Sequence, residues 1–244
     1  MYVISRRFAG QPVARFKAGL AGLAITTLLV TGAAAHANLV QNAGFTSNSG
    51  LGQLGYNTNA TDWTTSGYNF LFSSSTPTGS VPGQYGGLAL TSGVTADPHG
   101  GAYFVGLDGA YDQGPLTQSI SGLTVGDVYD LTFDWAASQQ TGFTGATTQR
   151  VQVSLGSQTK STATYNLPSQ GFSGWMPVSM DFTATSTTET LSFLAVSSPQ
   201  LPPFTLLDDI SLTTPEPESF ALLLTGLLVG AGLLKSRRWL RAKR

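Results

Sequence analysis

"VYDLTFDWA", residues 128–136, alternates without a break. Tyr129, Leu131, Phe133 and Trp135 share one phase, and Asp130, Thr132 and Asp134 share the other. Period-two alternation predicts a strand with one face in a core and one face toward water. Just before it, Gly126 and Asp127 sit between Val125 and Val128 and predict a tight hairpin turn. That turn would pair the strand with "PLTQSI" (115–120), with Leu116 and Ile120 facing inward.

Further strands follow on both sides. "RVQVSL" (150–155) turns Val151, Val153 and Leu155 inward. "WMPVSMDFTA" (175–184) does the same with Met176, Val178, Met180 and Phe182, and Pro177 places it at an edge or bulge. "TLSFLAV" (190–196) and "FTLLDDISL" (204–212) complete the downstream set; "YNFLF", "GLAL" and "GAYFVGL" supply the upstream one. Short strands with Gly-rich turns predict an all-β sandwich or jelly roll as a single domain over residues 38–213. The longer loops are 57–69, 73–87 and 138–149.

Composition agrees. Only 10% of the 244 residues are charged, and there is no cysteine, so disulfides, thiolate metal sites and a cysteine nucleophile are excluded. Ten of the 12 bases lie at the two ends of the chain. Between Asn38 and Thr214 only Arg150 and Lys160 stand against eleven acids, 2 − 11 = −9. A body of that charge is unsuited to nucleic acid, whose phosphates need bases to neutralise them.

The ends carry addresses. A basic region closes at Lys17, an apolar run covers Ala18 to Val30, and Ala35 and Ala37 form a small-residue A-x-A site. This layout predicts a secretory signal peptide over residues 1–37, cleaved after Ala37. At the other end Phe220 to Leu234 is uncharged; with Pro217 as a first-turn residue, a membrane helix is expected over about 217–234, followed by a basic tail at 235–244. The basic tail belongs on the cytoplasmic side, leaving the body outside.

Pro215, Glu216 and Pro217, the short apolar run and the tail with Arg237 and Arg238 together resemble the PEP-CTERM sorting signal of Gram-negative bacteria, over residues 214–244. The resemblance implies a transient hold in the inner membrane and processing by an exosortase near the Pro-Glu-Pro triplet. The body is similar to the galactose-binding-like jelly-roll domains of choice-of-anchor type proteins. The segments that carry this likeness are "NLVQNAGF" (38–45), "DWTTS" (62–66), residues 116–136, residues 174–195 and "LLDDISL" (206–212). That likeness implies association with extracellular polysaccharide or envelope.

Catalytic signatures are sparse. Outside the signal peptide the one histidine is His99, no G-x-S-x-G elbow occurs, and Glu189 is the only Glu of the body. The expectation is a protein that is not an enzyme. A coat protein without a glycan pocket and a glycan-active hydrolase are the alternatives. For sugar binding, the loop aromatics Tyr85, Tyr111 and Phe143, with Asp112 beside Tyr111, are the candidates, because sugars stack on exposed aromatic faces flanked by polar groups. No cofactor is called for by any motif. The body's resemblance does imply a structural calcium between the first and last strands. Asp208 is its candidate ligand, in phase with Ile210 and Leu212; Thr46 stands where many relatives have Glu.

Overall fold

The computed structural model describes residues 37–214. Ala35 of the cleavage site and the sorting residues Pro215, Glu216, Pro217, Arg237 and Arg238 lie outside the described residues; Ala37 is exposed.

Among the described residues there are fourteen strands and no helix. They are β1 Gly52–Gln53, β2 Thr64–Thr65, β3 Phe70–Ser73, β4 Val81–Gly83, β5 Gly86–Leu88, β6 Tyr103–Asp108 and β7 Leu116–Ser121. Then come β8 Val128–Gln139, β9 Thr147–Leu155, β10 Gln158–Ser161, β11 Tyr165–Leu167, β12 Met176–Thr183, β13 Thr188–Ser198 and β14 Pro203–Thr213. One sheet has the order β1-β3-β6-β14-β8-β12 and the other β10-β9-β13-β7-β2, with β11 also on β9; β4 and β5 form a separate hairpin. Every strand pair is antiparallel. This is the expected all-β sandwich.

The expected partner of β8 was β7, and the structure corrects this. β7 pairs with β13 and β2 in the second sheet, whereas β8 pairs with β12 and β14 in the first. The turn at Gly126 carries the chain between sheets, held by Gly126 N–H to Ala184 O and Ala184 N–H to Asp127 O. Leu116 and Ile120 therefore meet Tyr129, Leu131 and Phe133 in one inter-sheet core, instead of sharing a sheet face with them. Pro177 does lie on an edge strand, β12, where a missing N–H costs no ladder bond.

Apart from the edge strand β12 and the start of β8, the first sheet is covered on both faces. Leu71, Val105, Leu107, Leu131, Phe133 and Leu207 face the other sheet. Phe70, Phe72, Phe104, Ala136, Phe204 and Leu206 face the opposite way, under Val81 and Leu88 of the hairpin and Leu90 and Val94 of the following loop. At Gly106 an added Cβ would lie 2.9 Å from Phe72 and 3.3 Å from Phe204, so the absence of a side chain there lets the rings close over the sheet. This second layer explains why β8 stops alternating in exposure. Asp134, expected on a solvated face, is 3% exposed.

β14 carries a bulge. Asp208 pairs with Asp134 and Ser211 with Thr132, so three steps on β14 oppose two on β8. Asp209 takes φ +49° at the extra position. The bulge changes the phase: Ile210 and Leu212 point into the inter-sheet core, whereas Asp208 points away from it with Phe204 and Leu206. Asp208 is buried as expected, but on the other face from the one its spacing suggested.

Candidate functional site

Two clusters of side chains stand out. The first is aromatic. Tyr85 occupies the turn of the β4–β5 hairpin and Tyr111 the loop after β6; their ring centroids are 6.3 Å apart at 85°. Tyr85 also lies 5.5 Å from Tyr68, whose ring meets Phe70 edge-on at 4.5 Å. Tyr85 and Tyr111 are 69% and 63% exposed, so the pair forms an aromatic corner open to solvent and rooted in the second core through Tyr68.

Each loop is held for a physical reason. Asp108 is buried, and its carboxylate accepts the backbone N–H groups of Ala110, Tyr111 and Asp112 at 3.0, 3.1 and 2.8 Å. Asn69 accepts Asp108 N–H at 3.0 Å and donates to Thr65 Oγ1 and Gly114 O. Tyr68 N–H donates to Asp112 O. The hairpin turn is pinned by Gln53 Oε1, which accepts Gln84 N–H at 2.9 Å. Burial, and then the nearby Asp108 carboxylate, push the Tyr68 hydroxyl above its usual value. Asp112 and Gln113 are exposed beside Tyr111, and Gln113 Nε2 donates to Ala195 O and Gly109 O.

Phe143, the third loop aromatic expected to contribute, lies elsewhere. It is 41% exposed in the β8–β9 loop, where its carbonyl accepts from Gln170, and no ring pair joins it to the tyrosines among the described residues. Trp63 is structural: its ring packs between Phe45 and Phe193 and its Nε1–H donates to Asn42 O.

The second cluster is ionic and lies on the covered face of the first sheet. His99 Nδ1 is 2.6 Å from Asp134 Oδ2 and 3.9 Å from Asp97 Oδ1. Asp97 Oδ1 accepts His99 N–H at 3.0 Å. Asp208 stands beside them, its Oδ1 accepting Asp209 N–H at 2.8 Å. Burial pushes Asp208 up to about 7 and Asp97 up to about 6. The hydrogen bond and charge of Asp134 push His99 up as well. A groove of about 340 Å³ opens beside the cluster, lined by His99, Thr132, Asp134, Pro177, Ser179 and Asp209.

Between the first and last strands, the expected calcium ligand Asp208 keeps a buried Oδ2 without a hydrogen-bond partner, directed at Gly100, and a Cβ on the adjacent Gly101 would stand 3.8 Å from Gly44 O of the first segment. Asn38 ties the ends together through Ile210 O and Leu212 N–H. The Asn42 amide is used by Ser47 O and Thr61 O, and Thr46 is exposed. These groups are neutral, and the buried carboxylate that approaches this segment, by way of Gly100 and Gly101, is Asp208.

No family model and no curated protein matches the chain. Among solved structures, the chain is similar in fold to TmCBM61 in complex with β-1,4-galactotriose, at 16% identity and TM-score 0.44, over 73% of this chain and 99% of that one. It is also similar to the CBM22-1 xylan-binding domain of Paenibacillus barcinonensis Xyn10C, at 11% identity and TM-score 0.38, over 75% and 97%. A CBM4 structure aligns at 14% identity and TM-score 0.36, over 72% and 99%.

Proposed function

We propose that this is an exported surface or matrix protein whose body associates with extracellular polysaccharide and performs no catalysis. In this reading the C-terminal run holds the protein transiently in the inner membrane until an exosortase acts at Pro215-Glu216-Pro217. The observation that carries the polysaccharide reading is the Tyr85–Tyr111 corner. Two aromatic faces from separate loops are brought together, left open, and flanked by the polar side chains of Asp112 and Gln113. Aromatic faces are apolar enough to stack on the C–H side of a pyranose, while amides and carboxylates meet its hydroxyls.

The test is binding of the full chain to a glycan array, alongside Tyr85→Ala and Tyr111→Ala. Each substitution is expected to lower affinity by about tenfold, on the order of 1.4 kcal/mol. A wild-type protein that binds no glycan favours the coat-protein reading. Release of new reducing ends from a polysaccharide would overturn the absence of catalysis. For the route, membrane fractionation of cells carrying Pro215→Ala with Pro217→Ala is expected to show the chain retained in the membrane.

A further inference from the structure

The tyrosine corner has a charge as well as a shape. Asp108 lies beneath it at 1% exposure, and Asp112 stands exposed beside Tyr111. Neither carboxylate has a cationic partner: among the described residues, the ion pairs are those His99 makes with Asp97 and Asp134. The two bases of the body are engaged on other strands. Lys160 sits 5.4 Å over the Phe182 ring, and Arg150 is on β9 opposite Val196. Three backbone N–H groups hold Asp108, and such dipoles spread its charge without cancelling it. A buried, unpaired charge is weakly screened, so its field reaches the rings above it. Burial, and then that charge, raise the Tyr68 hydroxyl, which shows that further negative charge is disfavoured there.

The rings fit a ligand of the opposite sign. Tyr85 and Tyr111 cross at 85° with centroids 6.3 Å apart. A cation lodged about 4.5 Å from both centroids lies within the range at which aromatic faces attract it. Tyr68 adds a third ring, 5.5 Å from Tyr85. Perpendicular rings cannot both lie flat on one extended sugar ribbon, so the corner holds a single sugar residue from two sides. A uronic acid placed there would press its carboxylate against the rings and the two acids.

We infer that the corner selects a polysaccharide carrying free amino sugars, with a sugar ammonium held between the tyrosine rings and the sugar hydroxyls turned to Asp112 and Gln113. This rests on the polysaccharide reading above and narrows it to a cationic ligand. Selection needs both parts of the site. An acidic patch alone would take any polycation, and an aromatic pair alone would take any pyranose.

The test is calorimetric titration of the full chain at about pH 6, where a sugar amine keeps its proton. The probes are the glucosamine hexamer, the N-acetylglucosamine hexamer, a galacturonic acid hexamer and hexalysine. The glucosamine hexamer should bind about tenfold more tightly than its acetylated form, and the uronate most weakly. Tyr85→Ala and Tyr111→Ala should each remove that preference. Asp112→Asn, which keeps the shape and loses the charge, should reduce it about threefold. Raising the ionic strength from about 0.02 M to about 0.5 M should narrow it too. Equal or weaker affinity for the free amine, or a ligand found only among neutral or uronic glycans on the array, would overturn the charge selection and leave the polysaccharide reading standing. An array without any ligand would overturn both. Hexalysine binding as tightly as the amino sugar, or a preference that survives both tyrosine substitutions, would mean unspecific attraction to the acidic body and would remove the assignment to the corner.

Discussion

Asp134 and Asp208 are direct register partners on neighbouring strands, and both are buried. Burial, more than the charges of Asp97, Asp209 and Asp134 around it, pushes the Asp208 carboxyl up. Asp97 and His99 face them from the loop, and Asp209 from the bulge. Asp97 and Asp208 have folded values raised to about 6 and about 7, and those of His99 and Asp209 are also raised. A raised folded value means the folded chain holds its proton more tightly than the unfolded chain. Stability from these groups is therefore complete below about pH 4 and is lost as pH rises through about 6 to 7. Glu189 opposes this at the acid end. Burial pushes it up, but bonds from Thr185 Oγ1 and N–H and Ser186 N–H more than offset that and hold it low. Its contribution is lost as pH falls below the usual carboxylate range. In EDTA the melting temperature should fall by about 5–10 °C between pH 5 and pH 8, and Asp208→Asn should flatten the fall. A melting temperature that rises over that interval would contradict the assignment.

Gly100→Ala tests the packing of the same layer. The new methyl would meet Asp208 Oδ2 at 1.9 Å and Asp208 Cγ at 2.6 Å, so the buried carboxylate must move. A loss of about 1–3 kcal/mol in urea unfolding is expected. Gly44→Ala, where an added Cβ meets nothing within 4 Å, is the matched control and should change stability by less than about 0.5 kcal/mol. Equal effects at the two positions would show that the contact at Gly100 is not what decides the outcome.

Much of the sandwich was legible in the residues because burial of one face imposes a short period. Tyr129, Leu131 and Phe133 announce their strand wherever it lies. What covers the other face is not a local property. Asp134 follows the same alternation as Asp130 and Thr132, yet it is buried by a loop that precedes it by 35 residues at His99. The bulge misled the phase of Asp208 because one extra residue exchanges the two faces; the paired acids Asp208 and Asp209 inside an apolar strand were its available signal. For the tyrosines, sequence marked Tyr85 and Tyr111 as loop aromatics, but their meeting depends on the hairpin folding back over β3. Tyr56 is as exposed as these two, at 62%, and no sequence motif sets it apart.

Asp108 supports the tyrosine corner from beneath. Its carboxylate gathers three consecutive-loop N–H groups, and Asp108→Ala leaves them without that acceptor. A stability loss of about 2–3 kcal/mol is expected, with loosening of residues 110–112. Ring-to-ring contacts between Tyr85 and Tyr111, followed by proton NMR, should weaken. Asp108→Asn keeps one oxygen as an acceptor and should fall between the two. Unchanged ring contacts in Asp108→Ala would mean the corner is held by ring packing alone.

Asp209 supplies a last, separable effect. Its φ of +49° places a side chain in the left-handed region, where Cβ crowds the following carbonyl. It also sits with a carboxylate near Asp134, and burial, then that charge, raise its own value. Two contributions can be divided by two substitutions. Asp209→Asn removes the charge and keeps a residue that tolerates this backbone. Asp209→Gly removes both the charge and the Cβ. Because the bulge is fixed by the register jump between Asp208 and Ser211, either variant should keep the same pairing. The glycine variant should be more stable than the asparagine variant by about 0.5 kcal/mol, after allowing for the extra freedom glycine gives the unfolded chain. Both should exceed the parent at pH 8, where the neighbouring carboxylates repel most. An asparagine variant no more stable than the parent at pH 8 would remove the electrostatic half of this account, and a glycine variant below the asparagine variant would remove the conformational half.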